Sequence, residues 1–128
     1  MWKLNLGLFL LRLCPSAMLI IGHGWPKMMQ FSVLQNQFPD PIGLGSTLSL
    51  VLTIIVEVFC PLLIILGLGT RINAVIVFLL LIIAGFVVHA HDPWNTKELA
   101  LIFSIPFFVL SLTGAGAYSI DEKKGVIF

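Results

Sequence analysis

The stretch Ile72–Val88, INAVIVFLLLIIAGFVV, decides the fold, because none of its 17 residues carries an ionisable side chain. A helix of this length reaches about 26 Å, close to the thickness of the hydrocarbon core of a bilayer. Three further apolar stretches accompany it, from Leu4 to Gly22, from Leu44 or Ser46 to Leu66, and from Leu99 to Thr113. The sequence therefore predicts an all-α integral membrane four-helix bundle with antiparallel up-down topology.

Glycine and proline mark where these helices end. The run Gly22–Pro26 ends the first span, the turn Gly67–Arg71 separates the second from the third, and Gly114–Gly116 closes the last. Asn95 and Glu98 are spaced as in a capping box, which places the start of the last helix near residue 96. We therefore expect helices at about residues 4–22, 46–66, 72–89 and 96–113.

The composition agrees with a membrane protein and excludes several other classes. Of the 128 residues, 59% are hydrophobic and 10% are charged, whereas about 25% are charged in a typical soluble domain. Such a chain has too few polar residues to cover a surface exposed to water. We therefore exclude a soluble globular protein, a disordered tail and a nucleic-acid binder. We expect one transmembrane domain over residues 1–128, surrounded by the lipid bilayer.

Lysine and arginine in the loops indicate the orientation, because cytoplasmic loops carry an excess of them. One side of the predicted bundle has two more of these residues than the other. The first side has Lys3, Arg71, Lys123 and Lys124, and the second has Lys27 and Lys97. This excess predicts a multi-pass protein with both termini in the cytoplasm.

Arg12 and Glu57 lie inside predicted spans, where an ionised side chain costs about 2.5–3.5 kcal/mol. Counted from the cytoplasmic ends of their helices, Arg12 lies about 12 Å deep and Glu57 about 13.5 Å deep. Their similar depth on antiparallel helices predicts an ion pair. The pair is either a structural clamp between the first two helices or part of a functional site, because ionisable residues inside a membrane are functional candidates.

Further polar residues extend this pair into a polar seam that runs from the outer surface to the middle of the membrane. Their spacings of 3, 4 and 7 residues place each set on one face of its helix. The set on the first helix is Arg12, Ser16 and His23, and the set on the second is Ser46, Ser49, Thr53, Glu57 and Cys60. Ordinary hydrogen bonds between membrane helices explain the serines and threonine of this seam better than they explain its charged residues and histidine.

His89 ends the third span and Glu98 opens the fourth, so His89 could meet His23 and Glu98 near the outer surface. His89 and His91 are two residues apart, and such residues point away from each other on a helix. A metal or proton-relay site built by loops stays open, as do histidines satisfied by water and lipid headgroups. The spacing matches no strong metal motif, so we assign no residue to a metal.

Short motifs are distributed over nearly the whole chain, from about residue 6 to residue 121. They are Arg12-Leu13, His23-Gly24-Trp25-Pro26-Lys27, Glu57, Gly67-Leu68-Gly69-Thr70-Arg71, His89, Glu98 and Tyr118-Ser119-Ile120-Asp121. In order and spacing they resemble the DoxX family of small four-helix membrane proteins. Ala115 and Ala117 stand where that family usually has a proline and an arginine.

The resemblance implies a bundle in the inner membrane of a bacterial-type cell. The family is named by similarity to a membrane subunit of thiosulfate:quinone oxidoreductase, and related members are linked to sulfur metabolism and redox stress. The implied function is a membrane subunit of a quinone-linked oxidoreductase or of a redox or sulfur-metabolism complex. Its electrons would come from another protein, since the sequence has no recognisable motif for a flavin, haem or iron–sulfur cluster.

Candidate residues for such a role come from the polar seam. His23, Glu57 and Arg12 are the catalytic candidates, because they could polarise and protonate a quinone. The candidates for lining a cofactor site are Ser16, Thr53, His89 and Glu98. A quinone is the one cofactor suggested. Expected partners are other membrane or peripheral subunits, or further copies of this chain.

Two other functions stay open at this point. One is a non-catalytic structural or accessory subunit of a larger membrane protein complex. The other is a pathway for protons or small molecules.

Overall fold

A computed structural model describes residues 1–127, and every regular element within them is helical. Four helices are long and apolar enough to cross a membrane: α1 (Trp2–Met29), α3 (Ser46–Leu66), α4 (Thr70–Val88) and α5 (Trp94–Thr113). Two short helices, α2 (Phe31–Leu34) and α6 (Ile120–Lys124), lie in the connection after α1 and after α5. The predicted all-α membrane bundle is confirmed, whereas its up-down arrangement in the bilayer stays a prediction.

The first helix is longer than the sequence indicates, because Gly22–Pro26 does not end it. Residues Ile20–Gly24 form a π turn, and the α-helix resumes at Trp25 and continues to Met29. Pro26 lies in the first turn after the π turn, where a missing N–H is tolerated. Pro61 occupies the same place after a second π turn, Ile55–Phe59, in α3.

The last membrane helix begins earlier than expected, at Trp94. Pro93 is its N-cap residue, and no side chain caps this end, so the capping box of Asn95 and Glu98 is wrong. Pro93 has an extended backbone that leads directly into the helix, with φ −57° and ψ 152°. The extended ψ of Pro93, and not a side-chain cap, therefore marks the start of the helix.

The bundle has two ends with different packing. The terminal end carries the turn 67–69 and residues 114–124, and the loop end carries residues 30–45 and 89–93. The larger apolar core consists of Leu19, Cys60, Ile64, Ala74, Val77, Leu81, Phe107 and Leu110. A separate small core, Leu50, Ile54 and Val58, joins the first part of α3 to the connection after α1. The loop end therefore has a core of its own, apart from the larger core to which all four membrane helices contribute.

The π turns of α1 and α3 contact each other, and Gly24 sets how closely. A Cβ atom added to Gly24 would lie 2.5 Å from Val58 Cγ2 and 2.7 Å from the carbonyl oxygen of Glu57. Neither position is sterically allowed, so only glycine fits there. The approach brings the backbone of α1 directly against the segment that carries Glu57.

Replacing Gly24 with alanine should destabilise the protein, because the new methyl group overlaps the backbone of α3. Overpacking of this kind costs about 1–3 kcal/mol. Gly22→Ala is the matched control, since Gly22 lies in the same π turn and a Cβ there meets nothing within 4 Å. Thermal unfolding in detergent should show a lower midpoint for Gly24→Ala alone. Equal midpoints for the two variants would contradict this account of the contact.

Candidate functional site

A cavity of about 510 Å³ lies between the helices at the loop end. Its volume falls within the range of about 300–1,000 Å³ that is typical of small-molecule sites. Most of its wall is apolar, and the polar or ionisable residues in the wall are His23, Lys27, Ser49, Thr53, Glu57, His89 and Thr96. An apolar cavity with a few polar groups is the usual composition of a ligand site.

Three π turns border this cavity, one from each of α1, α3 and α4. The third is Ala84–Val88, at the end of α4. His23 lies in the first turn, Glu57 in the second, and Ala84 and Val88 in the third, and all four residues line the cavity. Such turns are rare and occur frequently at functional sites, because the widened turn redirects side chains. Their meeting around one cavity favours this place as the site.

Glu57 pairs with Lys27 and not with Arg12, so the predicted Arg12–Glu57 ion pair is wrong. Lys27 Nζ lies 2.6 Å from Glu57 Oε2, and the two side chains are 22% and 8% exposed. The extension of α1 beyond Gly22 brings Lys27 within reach, one helical turn after His23. A nearly buried carboxylate therefore has a cation beside it at the wall of the cavity.

The two histidines predicted to meet both line the cavity, but each has its own neighbour. His23 is half-buried and packs edge-on against Phe103, with ring centroids 5.7 Å apart. His89 Nδ1 lies 2.5 Å from Asp92 Oδ2, three residues further along the chain. Glu98 is exposed and does not line the cavity, and the partner of the His89 ring is Asp92.

Arg12 lies at the terminal end of the bundle, outside the cavity, and is 1% exposed. Its guanidinium donates to the carbonyl oxygens of Ile64 at 3.2 Å and Ile65 at 3.0 Å, and to that of Tyr118. Side chains on a helix lean toward its N-terminus, which directs Arg12 away from Glu57. The last carbonyls of α3 attract a cation, because the C-terminal end of a helix carries partial negative charge.

Gly67 makes room for Arg12 at the turn after α3. Its backbone is left-handed, with φ 71°, and a Cβ there would lie 2.7 Å from Arg12 Nη1 and 2.4 Å from Ser119 Cβ. The Asp121 carboxylate binds the same turn, accepting from the N–H groups of Gly69 at 2.8 Å and Thr70 at 3.0 Å. The motifs at residues 67–71 and 118–121 therefore form one packed unit with Arg12.

The polar seam is divided and not continuous. Ser16 is fully buried on the face of Arg12 and does not line the cavity. Ser46 donates to the carbonyl oxygen of Phe38 at 2.7 Å, and Thr53 donates to that of Ser49 at 2.8 Å. Thr53 does line the cavity. The side chain of Ser46 therefore holds the loop before α3 and does not face His23, because that loop folds back over the start of the helix.

Lys27 and Asp40 are the polar residues that sequence reasoning missed. The sequence pattern places Lys27 in a loop, because glycine and proline near residue 24 indicate the end of the first helix. Continuing the helical spacing by four residues from His23 would have found it. Asp40 accepts from the N–H groups of Leu44 and Gly45, both at 2.8 Å. No spacing rule for membrane helices applies to such a loop contact.

The fold and this cavity define a small multi-pass membrane protein with a ligand-sized space at one end. The model of the DoxX family matches residues 7–90, and the chain belongs to the DoxX family. The predicted family resemblance is therefore confirmed.

Two proteins of Haemophilus influenzae, both described as uncharacterized, are similar to this chain. One is 30% identical over 84% of this chain and 83% of its own length. The other is 28% identical over 76% of this chain and 68% of its own length. No solved structure matches the chain.

Arg12 and Glu57 should respond differently to substitution, since they belong to different parts of the bundle. Arg12→Met removes the guanidinium donor from the carbonyl groups of Ile65 and Tyr118, at about 1–3 kcal/mol for a buried acceptor left unpaired, whereas the carbonyl of Ile64 keeps the N–H of Gly67. Glu57→Gln keeps an acceptor for Lys27 and should cost less. Folded yield and the unfolding midpoint in detergent measure both effects. Equal losses for the two variants would instead favour a direct Arg12–Glu57 clamp.

Proposed function

We propose that this chain is the quinone-binding membrane subunit of a redox complex. The observation that carries the proposal is the apolar cavity of about 510 Å³, with the Lys27–Glu57 pair and His23 in its wall. A quinone has an apolar ring, two carbonyl groups that accept hydrogen bonds, and a need for protons when it is reduced. The cavity offers apolar walls, donors and proton carriers in one place.

The chemistry requires the chain to supply protons and a partner to supply electrons. Reduction of a quinone to a quinol consumes two electrons and two protons. Lys27 and His23 have N–H groups that can donate to a carbonyl oxygen, and this hydrogen bonding polarises the carbonyl. His23 and Glu57 can pass protons to that oxygen, since both side chains gain and lose protons. The electrons come from a redox partner protein.

The apolar part of the wall would hold the ring. Phe103 packs against His23 and lines the same space, and the aromatic ring of Phe38 borders it from the loop. Offset stacking of aromatic rings adds about 0.5–1.5 kcal/mol beyond the burial of apolar area. This arrangement favours a flat apolar ligand over an inorganic ion.

Arg12 has a supporting role in this proposal and not the catalytic one that the sequence suggested. It binds backbone carbonyl groups at the terminal end, away from the cavity lining. Ser16 and Glu98 are likewise left out of the ligand site, while Thr53 and His89 are kept because they line the cavity. Orientation with cytoplasmic termini in the inner membrane of a bacterial-type cell belongs to the proposal as well.

An accessory subunit without a ligand is the second candidate function. Many large apolar side chains face outward along all four spans, among them Phe59, Phe86 and Ile105. In a bilayer such surfaces accept either lipid or the helices of other subunits. The buried Arg12 contacts stabilise the bundle in both cases.

Native mass spectrometry after purification from the protein's own membrane in mild detergent tests the proposal. We expect a quinone mass on the wild-type protein, and its loss in Glu57→Gln and His23→Ala. His23→Ala removes a donor to the quinone, and Glu57→Gln replaces the charged bond that holds Lys27 with a neutral one. Hydrogen bonds to charged groups are worth about 1.5–3 kcal/mol, so we expect binding to weaken by roughly tenfold.

Glu98→Gln and His91→Ala are matched controls, because both residues are exposed and neither lines the cavity. They should retain the quinone. A stable complex with other subunits and no quinone mass would refute the proposal in favour of the accessory role. Equal quinone retention by all four variants would show that the quinone binds outside this cavity.

A further inference from the structure

Residues 38–45, here called the roof, lie over the loop end of the cavity. Five of them line it: Phe38, Pro39, Pro41, Ile42 and Leu44. Two prolines within this short segment restrict its backbone, which lowers the entropy lost when it is held in one place. The roof is therefore both part of the cavity wall and stiff enough to have a defined position.

Asp40 joins the roof to the start of α3. Its carboxylate accepts from the N–H of Leu44 at 2.8 Å, the N–H of Gly45 at 2.8 Å and the hydroxyl of Ser49 at 2.9 Å. The N–H of Gly45 is the main cause that holds the pKa of Asp40 below its ordinary value, so this carboxylate is ionised at neutral pH. A negative charge at a helix N-terminus is also favoured by the helix dipole.

Two hydroxyl groups of the first turn of α3 add further bonds to the chain before it. Ser46 donates to the carbonyl oxygen of Phe38 at 2.7 Å, and Thr47 donates to that of Gln35 at 3.1 Å. The segment is thus held at both ends, by hydroxyl donors near Phe38 and by the Asp40 carboxylate near Gly45. Such repeated attachment serves a wall that must stay in place.

On α3 and on α5, part of the cavity wall consists of apolar residues that are also exposed at the surface of the bundle. Leu52 of α3 and Leu99 of α5 both line the cavity, and they are 41% and 50% exposed. In a membrane protein, exposed leucines of this kind on spanning helices face lipid. These two leucines therefore lie where the cavity wall reaches the lipid-facing surface.

We propose that Asp40 is a positioning residue that holds the roof over the cavity, so that ligands enter from the bilayer at the surface that Leu52 and Leu99 form. The identity of the ligand as a quinone with a long apolar tail rests on the proposed function. The position of the roof does not, because it follows from the bonds of Asp40, Ser46 and Thr47 alone.

The roof is tested without any quinone by the reactivity of a cysteine placed inside the cavity. Val56 lines the cavity and is half-buried, so Val56→Cys in a Cys14→Ser background provides the probe. A water-soluble maleimide should label it slowly. Asp40→Ala should speed labelling by about tenfold, because loss of the anchor favours local opening. The native Cys60 is buried, and the Cys14→Ser protein alone measures its background.

Matched variants separate a local effect from general unfolding. Ser49→Ala removes one of the three bonds to Asp40 and should give a smaller increase in labelling. Glu98→Gln removes an exposed carboxylate at the same end and should give none. Unchanged unfolding midpoints show that the bundle is intact. Equal labelling rates of the Val56→Cys probe with and without Asp40→Ala would refute the proposal that Asp40 holds the roof in place.

The quinone experiment then distinguishes failure of the roof from failure of the proposed function. Hydrogen exchange at the amides of Leu44 and Gly45 should rise in Asp40→Ala, and retention of a long-tailed quinone should fall. Faster exchange with unchanged quinone retention would refute the proposal that the roof forms part of the ligand site. Absence of quinone from the wild-type protein would refute the proposed function. Maleimide labelling would still show whether Asp40 holds the roof over the cavity.

Discussion

A buried guanidinium in a membrane must find acceptors within the protein, and both terminal nitrogens of Arg12 do so, whereas its Nε has no partner among the described residues. Its donors bind the last carbonyl groups of α3 and the carbonyl of Tyr118, so one side chain joins three parts of the chain. Gly67 is required beside it, since any larger residue would occupy the space of the guanidinium. The terminal end is closed and rigid as a result.

The loop end has the opposite character, and this difference creates the candidate site. The π turns of α1 and α3 bring the two helices together at Gly24, while the first part of α3 packs on its own small core. The space left between these helices and the α4–α5 pair is the cavity. Because Arg12 is occupied elsewhere, Glu57 is available to Lys27, and the pair lies in the wall of this space.

The side chains that bind backbone groups and those of the candidate site lie at opposite ends of the bundle. Arg12 and Asp121 bind backbone groups at one end, where their loss would open the bundle. Lys27, Glu57 and His23 lie at the other end, where few backbone groups depend on them. Lys27 and Glu57 bind each other and join α1 to α3 at the wall of the cavity.

The sequence by itself determined the membrane class, the four apolar helices and the family, because these depend on composition, run length and motif order. It also singled out His23 and Glu57, which line the candidate cavity, because ionisable groups are rare in apolar runs. Equal depth could not establish which partner Glu57 takes, because a long side chain reaches several ångströms along the helix axis. Only the tertiary structure decided that α1 continues through a π turn to Lys27, and that the Asp40 carboxylate accepts hydrogen bonds at the start of α3. Both depend on contacts between segments distant in sequence, where helical periodicity carries no information.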